Sequence, residues 1–360
     1  MKTVCFFEGD MSRGGGTERM TSIIANKLSE TKKYKVVVIS LYNSKNTSYF
    51  RLDDKVKHIA LYNSPNTSKL SIVKSILYLR RVLKNNKVDI LINVDVMLGL
   101  FSIPAIFFSN IKLISWEHFN YLDNIGSKYT DYLRRVSMIF SNKYIVLTNQ
   151  DKYKFKEYTK SLDKIERVYN TCIYDKEYND YDINSKIILS AGNMYNVKGF
   201  DMAVEVGKIV FEKHPDWKWH LYGDGVELNK IRSKIKNYKL DKNIVIKSRT
   251  KQIERAYRES SIYVLTSRME SFGLVLLEAQ SNNLPVVSFD IPSGPSEIIE
   301  NNINGFLIEP FNINDMAQKI CILIEDEEKR KYFSQHAKKN IYKFDIENVI
   351  LQWQQIIDNI

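Results

Sequence analysis

Cysteine is scarce in this 360-residue chain, which contains only Cys5, Cys172 and Cys321. The three are scattered, and no Cys-x-x-Cys or Cys/His spacing connects them. This pattern disfavours a disulfide scaffold and a zinc site, and it is typical of a protein in a reducing cytoplasm. The five histidines form no His-Glu-x-x-His or His-x-x-x-His arrangement, so the common zinc-hydrolase signature is missing as well.

Long apolar runs are also absent. No stretch reaches the roughly 18 apolar residues of a membrane-spanning helix, so none is predicted. The run from Val96 to Phe108 is about a dozen residues long, contains Pro104 and fits a buried helix. The opening MKTVCFFEGDMS has too short an apolar stretch for a signal peptide and predicts a first strand. These features indicate a cytoplasmic protein.

Acidic residues are too few to balance the basic ones: 53 Lys and Arg against 42 Asp and Glu give a net charge of +11. Nucleic acid is one class of partner for such a surface, but no nucleic-acid-binding motif is present, so this partner is not expected. An anionic membrane surface is the second candidate, and mere solubility is the third explanation. The length and the 44 % hydrophobic content predict two domains with ample cores.

The most informative stretch is residues 262–308. An apolar run from Ile262 to Leu265 predicts a buried parallel strand. A second apolar run, from Leu274 to Ala279, predicts a helix, and Ser271 is the expected N-cap.

A second strand is predicted at residues 284–289, and the loop Pro292-Ser293-Gly294-Pro295 then leads to another helix start at Ser296. Two helix N-termini are therefore expected side by side at the carboxyl ends of adjacent strands. Doubly wound sheets bind anionic ligands at this position.

Two glutamates, Glu270 and Glu278, accompany the first of these helices. Eight helical residues would separate them by about 12 Å. Carboxylate pairs that act on one atom lie within about 9.5 Å of each other, so an acid/base pair is not expected. The spacing suits an elongated ligand with hydroxyl groups at both ends and a pyrophosphate between them, such as a nucleotide-sugar. The alternative is two helix-surface glutamates, which the loop–glycine–helix context disfavours.

This stretch resembles the donor-binding signature of family-four glycosyltransferases, which have the GT-B fold. The matching features are Glu270, Phe272-Gly273, Glu278, the segment GPSEII at 294–299 and the segment NGFL at 304–307. The resemblance implies an α/β protein with two Rossmann-like domains that face each other across a cleft. The N-terminal domain would present the acceptor, and the C-terminal domain would bind the nucleotide-sugar.

The resemblance also implies retention of the anomeric configuration and no metal or other cofactor. Glu270 would contact sugar hydroxyls and Glu278 the ribose. The loop residues of the donor site would be Ser271, Phe272, Gly273 and Leu274. No enzymic nucleophile is identified, and in the family the departing phosphate is thought to act as the base.

A strand predicted at residues 186–190 leads into a second part of the expected donor site. Lys198, near a helix N-terminus, is suited to neutralise the diphosphate leaving group. The family pattern is Gly-Arg followed five residues later by Lys-Gly, and here Gly192 is followed by Asn193. One phosphate-binding cation is therefore missing, and Arg249 and Arg268 are the candidate substitutes.

Gly223 opens the turn Gly223-Asp224-Gly225, which resembles the family's Gly-Asp-Gly turn. Glycines there would allow the nucleotide to approach closely, or would simply form the turn. Gly192, Asn193, Gly223 and Arg249 are therefore assigned to the donor site together with the residues above.

The first domain begins with a strand predicted at residues 3–7, a loop that ends in Gly14-Gly15-Gly16, and a helix from Thr17. The dinucleotide fingerprint is absent because Arg19 occupies the sixth position, so a nicotinamide-binding unit is disfavoured. The segment GGTER at 15–19 resembles the family's Gly-Gly-x-Glu-Arg loop. By that resemblance this is the acceptor/donor loop of the N-terminal domain, and Gly15 and Gly16 are assigned to donor binding.

His118 follows a strand predicted at residues 112–115, at the carboxyl end where such sheets bind ligands. The resemblance implies that His118 contacts the donor sugar from the opposite wall of the cleft. A purely structural histidine is the alternative. Thr148 and Asn149, after the next strand, are weaker candidates.

Residues 69–87 have apolar side chains at helical spacing, with lysines and arginines along much of the rest. An ordinary helix packed on the sheet is the first interpretation. The second is a helix whose basic face rests on anionic lipid, with a contribution from the basic segment 128–143.

The expected domain boundaries are 1–172, a linker at 173–186, a second domain at 187–342, and a terminal helix at 343–360 that returns to the first domain. The linker contains the chain's single Asp-x-Asp, at Asp180 and Asp182. Such a pair can hold Mg²⁺ or Mn²⁺. It does not follow a strand here, so no metal site is predicted.

The sequence therefore predicts a retaining glycosyltransferase that moves a hexose or N-acetylhexosamine from a UDP-sugar. The expected acceptor is a polyprenyl-diphosphate-linked saccharide in capsule, O-antigen or exopolysaccharide synthesis, at the inner face of the plasma membrane. One alternative is an enzyme like a UDP-sugar 2-epimerase on the same fold. The other is a non-catalytic subunit that binds a nucleotide-sugar or lipid, for which Asn193 is the supporting feature.

Overall fold

The computed structural model describes residues 1–64, 69–122, 128–158, 162–172, 180–250 and 252–360. The chain divides into a first unit, Met1–Asn170 with Glu347–Ile360, and a second unit, Thr171–Ile346. Each unit is built on its own parallel β-sheet, and each is described by itself.

The described part of the first unit contains a seven-stranded sheet with the order β3-β2-β1-β4-β5-β6-β7. Its strands are β1 (Lys2–Asp10), β2 (Tyr34–Tyr42), β3 (Lys57–Tyr62), β4 (Ile90–Asn93), β5 (Lys112–Trp116), β6 (Lys143–Val146) and β7 (Ile165–Arg167). The central strands are almost fully buried, as the apolar runs of strands covered on both faces predict. The connecting helices are α1 (Gly16–Glu30), α2 (Lys69–Asn85), α3 (Gly99–Ile106), α4 (Lys128–Phe140) and α5 (Asn149–Tyr158).

The second unit contains a six-stranded sheet with the order β10-β9-β8-β11-β12-β13. Its strands are β8 (Ile187–Ala191), β9 (Lys218–Tyr222), β10 (Ile244–Lys247), β11 (Ile262–Leu265), β12 (Val286–Phe289) and β13 (Gly305–Ile308). Its helices are α6 (Phe200–Lys213), α7 (Leu228–Asn237), α8 (Ile253–Arg258), α9 (Leu274–Ser281), α10 (Pro295–Ile298), α11 (Ile313–Glu325) and α12 (Glu327–His336).

Both sheets have the same winding. The chain adds two strands on one side of the first strand and then crosses to its other side, so the order reverses between β1 and β4 and between β8 and β11. The loops that leave two such strands diverge and open a crevice at the carboxyl edge of the sheet. Each unit therefore offers one preferred ligand position.

The last helix, α13 (Ile346–Asp358), packs on the first unit. The fully buried Trp353 ring lies 4.9 Å from the ring of Trp116 and 6.5 Å from that of Phe6. The Tyr34 hydroxyl donates a hydrogen bond of 2.7 Å to Asp358 near the end of the helix. Helix α13 therefore packs against the same core as strand β1.

Two edge strands of the first sheet were not predicted. β3 has the sequence KHIALY, and most of its residues are only partly buried, so it lacks a clear apolar run. β7 has only three residues. Edge strands are covered less completely than central ones, and their pattern is correspondingly weak.

The expected buried helix at 96–108 is wrong at its last two residues. A short 3₁₀ turn, Val96–Leu98, precedes α3, which ends at Ile106. Pro104 has no N–H to donate, and the helix stops two residues beyond it. Phe107 and Phe108 are consequently exposed, to 49 % and 91 %.

The expected linker lies partly outside the described residues, at 173–179. Its second half packs on the second unit. The Tyr181 hydroxyl donates to the Ser261 carbonyl (2.8 Å), and the Ser185 hydroxyl donates to the Glu259 carbonyl (2.7 Å). None of the helices in the described ranges has the length and apolar character that a bilayer crossing requires.

Candidate functional site

Lys198 and Glu270 meet at the switch point of the second sheet. Lys198 ends a 3₁₀ turn (Asn196–Lys198) that follows β8, and Glu270 lies in the loop after β11. Their side chains form an ion pair of 2.6 Å, and the Ser267 hydroxyl donates to the same Glu270 oxygen at 2.7 Å. Glu270 is 8 % exposed and the Lys198 side chain 29 % exposed, so the cation is the more accessible of the two groups.

Arg268 connects these two loops through hydrogen bonds. Its guanidinium makes two hydrogen bonds, of 2.8 and 2.7 Å, to the Asp201 carboxylate in the first turn of α6. Its backbone N–H donates to the carbonyl of Val197. Burial tends to raise the pKa of Asp201, but the hydrogen bonds and charge of Arg268, together with a backbone hydrogen bond and the charge of Lys234, outweigh it and lower this pKa.

The structure therefore does not favour Arg268 as the substitute for the cation missing at Asn193, because its guanidinium is engaged by Asp201. Arg249 is exposed in the loop that follows β10, and its assignment to the donor site stays a prediction. Asn193 is also exposed.

Glu278 is oriented by a residue that the sequence analysis missed. The hydroxyl of Tyr257, a fully buried side chain on α8, donates a hydrogen bond of 2.8 Å to Glu278 on α9. The available signal was the single aromatic residue of α8, which has the sequence IERAYR.

The N-cap of α9 is Gly273, so the expected cap at Ser271 is wrong. Gly273 has φ +90°, a conformation that a residue with a Cβ rarely adopts. Because α9 begins only at Leu274, the interval from Glu270 to Glu278 is partly loop. The separation of about 12 Å expected for a fully helical interval therefore does not apply. Phe272 is buried against Phe344, with ring centroids 5.6 Å apart, and offers a ligand its backbone rather than its ring.

The segment GPSEII lies directly against this loop. A Cβ on Gly294 would lie 2.2 Å from the Phe272 carbonyl oxygen, so only glycine allows this approach. The expected second helix, α10, is a single turn, Pro295–Ile298. In the NGFL segment the fully buried Asn304 side chain accepts from the Glu300 N–H at 2.8 Å, which makes this part of the motif structural.

The loops after β8 and β9 are joined through their backbones. The Gly192 N–H donates to the Tyr222 carbonyl at 3.0 Å, and the Met194 N–H donates to the Asp224 carbonyl at 2.8 Å. Gly192 and Gly223 thus lie together at the same edge of the sheet as Lys198, and Asn193 lies between Gly192 and the buried Met194.

In the first unit, His118 is 7 % exposed and its ring lies 4.3 Å from that of Trp116. Burial lowers the pKa of His118 to about 3, so the imidazole is neutral at physiological pH. Its buried Nε2 has no hydrogen-bond partner among the described residues. Buried polar atoms in native proteins are usually paired, so an unpaired one indicates a place for a water or ligand atom.

The neighbouring Glu117 holds the loop that carries His118. It accepts hydrogen bonds from Arg134 (2.8 Å), Tyr144 (2.8 Å) and the Phe119 N–H (3.1 Å). Burial raises the pKa of Glu117, and the nearby Arg134 opposes this effect. Sequence reasoning missed Glu117, although a carboxylate directly after an apolar strand was a usable signal.

The glycine loop of the first unit is anchored by Asp10, which accepts hydrogen bonds of 2.6 Å from both Ser12 and Ser44. Helix α1 begins at Gly16, with Gly15 as its N-cap. Beside the loop, Glu8 is buried and accepts a hydrogen bond from Thr21. Burial and the charge of Glu18 raise the pKa of Glu8 to about 8.

Thr148 has a structural function at the start of α5. Its hydroxyl donates to the Asp151 carboxylate and accepts from the Asp151 N–H. Asn149 donates to the Tyr169 hydroxyl at 3.0 Å. Across the described ranges, no group of three or more His, Cys, Asp or Glu side chains is arranged to hold a metal ion. Independence of metal stays a prediction.

Comparison with known proteins identifies both units. Residues 14–172 match the family described as Glycosyltransferase Family 4, and residues 175–340 match Glycosyl transferases group 1. An uncharacterized glycosyltransferase of Haemophilus influenzae is 30 % identical over 358 residues, which cover 99 % of this chain and 100 % of that protein.

A second relative is an α-1,4-N-acetyl-D-galactosaminyltransferase of Campylobacter jejuni, whose named acceptor is a saccharide on PP-undecaprenol. It is 24 % identical over 350 residues, which cover 95 % of each chain.

Among solved structures, a mutant of S. aureus TarM in complex with Fondaparinux, α-GlcNAc-glycerol and UDP superposes with a TM-score of 0.81. The match covers 99 % of each chain at 19 % identity, which shows a shared fold. The predicted GT-B fold is thus confirmed, and the chain belongs to the family-4 (group 1) glycosyltransferases.

Proposed function

We propose that this protein transfers a hexose or N-acetylhexosamine from a UDP-sugar to a saccharide acceptor, with retention of the anomeric configuration. The observation that carries the proposal is the Lys198–Glu270 pair at the switch point of the second sheet. A cation and a carboxylate there match the two ends of a sugar diphosphate, which carries phosphate charge at one end and hydroxyl groups at the other.

Binding of the donor would exchange the partners of this pair. The Lys198 ammonium would turn to the diphosphate, whose charge grows as the glycosidic bond breaks, and Glu270 would accept hydrogen bonds from sugar hydroxyls. The Ser267 hydroxyl keeps Glu270 oriented during the exchange. Glu278, held by Tyr257, would accept from the ribose hydroxyls. The backbone N–H groups near Gly273 and Leu274, at the start of α9, add positive potential toward the phosphates.

The same site explains how the chain could manage without an arginine at position 193. Lys198 approaches the crevice from a turn fixed by the Arg268–Asp201 pair, so its position does not depend on an arginine at position 193. Arg249 is the remaining candidate for a further phosphate contact. The sugar contacts assigned to His118, Gly15 and Gly16 rest on the resemblance and stay part of the proposal.

For the acceptor, we propose a polyprenyl-diphosphate-linked saccharide used in surface-polysaccharide synthesis, at the inner face of the plasma membrane. The Campylobacter relative, whose named acceptor carries PP-undecaprenol, supports this choice. The net charge of +11 supports a location beside anionic lipid.

Incubation of the purified protein with single UDP-sugars, with and without a polyprenyl-diphosphate disaccharide, tests the proposal. We expect UDP release that depends on the acceptor, and NMR of the product should show the donor's anomeric configuration. Conversion of UDP-GlcNAc without acceptor would favour the epimerase alternative. Binding of UDP without any turnover, unchanged in Glu270→Ala, would favour the non-catalytic subunit.

A further inference from the structure

Helices α2, α3 and α4 form one layer on the sheet of the first unit. α3 contacts both of the others, and apolar side chains of α2 and α3, among them Leu79, Leu83 and Ile103, share a core cluster with the strands. The opposite side of the layer, which we call the outer face, faces solvent.

The outer face is unusually apolar. Helices α2 and α4, together with the two residues that follow α3, carry nine of the twenty large hydrophobic side chains that are exposed among the described residues. They are Val73, Leu77, Tyr78, Phe107, Phe108, Tyr129, Tyr132, Ile139 and Phe140. Single exposed apolar residues are normal, whereas a concentration on one face marks an interaction site.

The exposed charges of these helices are mostly basic. The exposed cations are Lys74, Arg80, Arg81, Lys84 and Arg135. Val73, Leu77, Arg80 and Lys84 follow one another at helical spacing along α2, so apolar and basic groups share a single stripe. The three helices contain one acidic residue, Asp131, and its carboxylate lies 3.8 Å from Arg134.

Phe107 and Phe108 form the most prominent part of the outer face. Phe108 is 91 % exposed and has φ +62°, a strained conformation for a bulky residue. Its ring makes an edge contact with Phe107, with centroids 4.5 Å apart. Neither the core nor the backbone geometry requires an aromatic residue at position 108.

We propose that the outer face docks on an anionic phospholipid bilayer. The aromatic and aliphatic side chains would enter the boundary between headgroups and acyl chains, and the lysines and arginines would contact lipid phosphates. A second copy of the chain is the less suitable occupant, because a symmetric contact would bring the same cations together. Docking gives access to the lipid-linked acceptor, so its role in catalysis rests on the proposed function, but the surface itself does not.

Sedimentation with vesicles tests the proposal. We expect the full-length protein to bind vesicles of phosphatidylglycerol at low salt and to bind vesicles of phosphatidylcholine much more weakly. Arg80→Gln combined with Arg81→Gln should lower the partition coefficient by about fivefold per charge. Arg232→Gln combined with Lys236→Gln, on the exposed side of α7 in the second unit, is the matched control and should bind like wild type.

Two further variants test the apolar contribution. Phe108→Asn should lower the partition coefficient by about tenfold, since an inserted phenyl group is lost. Asn tolerates positive φ, so this variant should fold normally. Leu77→Ser should also weaken binding, whereas Leu351→Ser, which changes a side chain with the same 62 % exposure on α13, should not.

Equal binding to both lipids, or wild-type binding by the Arg80/Arg81 variant, would overturn the proposal. So would a dimer in light scattering that Phe108→Asn dissociates, because a second copy would then be the occupant. The change in Tm that UDP-sugar causes in each variant, called the donor shift, separates this inference from the proposed function. Vesicle binding without a donor shift would contradict only the function, and a donor shift without vesicle binding would contradict only the docking surface.

Discussion

Lys198 Nζ lies 2.6 Å from Glu270 Oε1, although the two residues are 72 positions apart and leave different strands of the sheet. Each residue is therefore the other's partner until a ligand replaces it. A sugar diphosphate can replace both at once, because its phosphates attract the ammonium and its hydroxyls donate to the carboxylate. The ion pair is thus the form that the proposed donor site takes before a ligand binds.

Lys198→Met tests whether Lys198 stabilises the departing diphosphate. The substitution keeps the length of the side chain and removes its charge, so kcat should fall by about 10²- to 10³-fold, with a smaller change in KM for the donor. Steady-state UDP release measures both constants. Lys186→Met is the control, since it breaks an ion pair of similar length (2.7 Å) between two well-exposed side chains and should leave activity unchanged. Normal kcat in Lys198→Met would exclude the assigned role.

Arg268→Lys tests the connection between the two loops. Lysine cannot make the two parallel hydrogen bonds to Asp201, so the unfolding free energy should fall by about 1 to 2 kcal/mol. The donor KM should rise as well, because the turn that carries Lys198 is less well fixed. Urea unfolding and donor kinetics provide the readouts. Arg255→Lys, at the exposed pair with Glu259, should change neither quantity.

Tyr257→Phe tests the orientation of Glu278. The substitution removes one hydrogen bond to a carboxylate and keeps the ring in the core, so Kd for UDP should rise by about tenfold. Isothermal titration calorimetry measures the change. Tyr238→Phe, which alters a partly exposed ring at the C-terminal end of α7, is the control. Equal affinities for UDP in both variants would mean that Tyr257 does not act through Glu278.

Glu8→Gln tests the buried carboxyl beside the glycine loop. Burial and Glu18 raise the pKa of Glu8 from 4.5 to about 8, so the folded protein retains a proton that the unfolded chain releases. Protonation of Glu8 therefore stabilises the folded state fully below pH 4.5, and this stabilisation is lost as the pH rises toward 8. The slope is about 1.4 kcal/mol per pH unit at most. Denaturant unfolding at pH 5 and pH 8 should show a smaller decline for Glu8→Gln than for wild type; parallel declines would contradict the assignment.

The fold class could be predicted because it depends on local patterns. The apolar run at Ile262–Leu265 and the similar runs in both units have the length and the turn signals of central parallel strands, and the structure confirms two parallel sheets. The pattern is missing in β3, an edge strand most of whose residues are only partly buried.

The finer structure of the site could not be predicted, because it depends on tertiary contacts. The hydrogen bonds from Arg268 to Asp201 and from Tyr257 to Glu278 join residues 67 and 21 positions apart, and no short motif encodes them. Ser271 is a favourable capping residue by type, but the sign of φ at Gly273 determines where α9 begins.

Thermal unfolding of the wild-type protein with a panel of UDP-, GDP-, ADP- and CMP-sugars, in the presence of EDTA, tests the central claim most directly. A ligand that binds only the folded state raises the Tm. We predict a rise with a UDP-sugar that EDTA does not remove and that Glu278→Ala abolishes. If no nucleotide-sugar raises the Tm, the donor site proposed around Lys198, Glu270 and Glu278 is wrong.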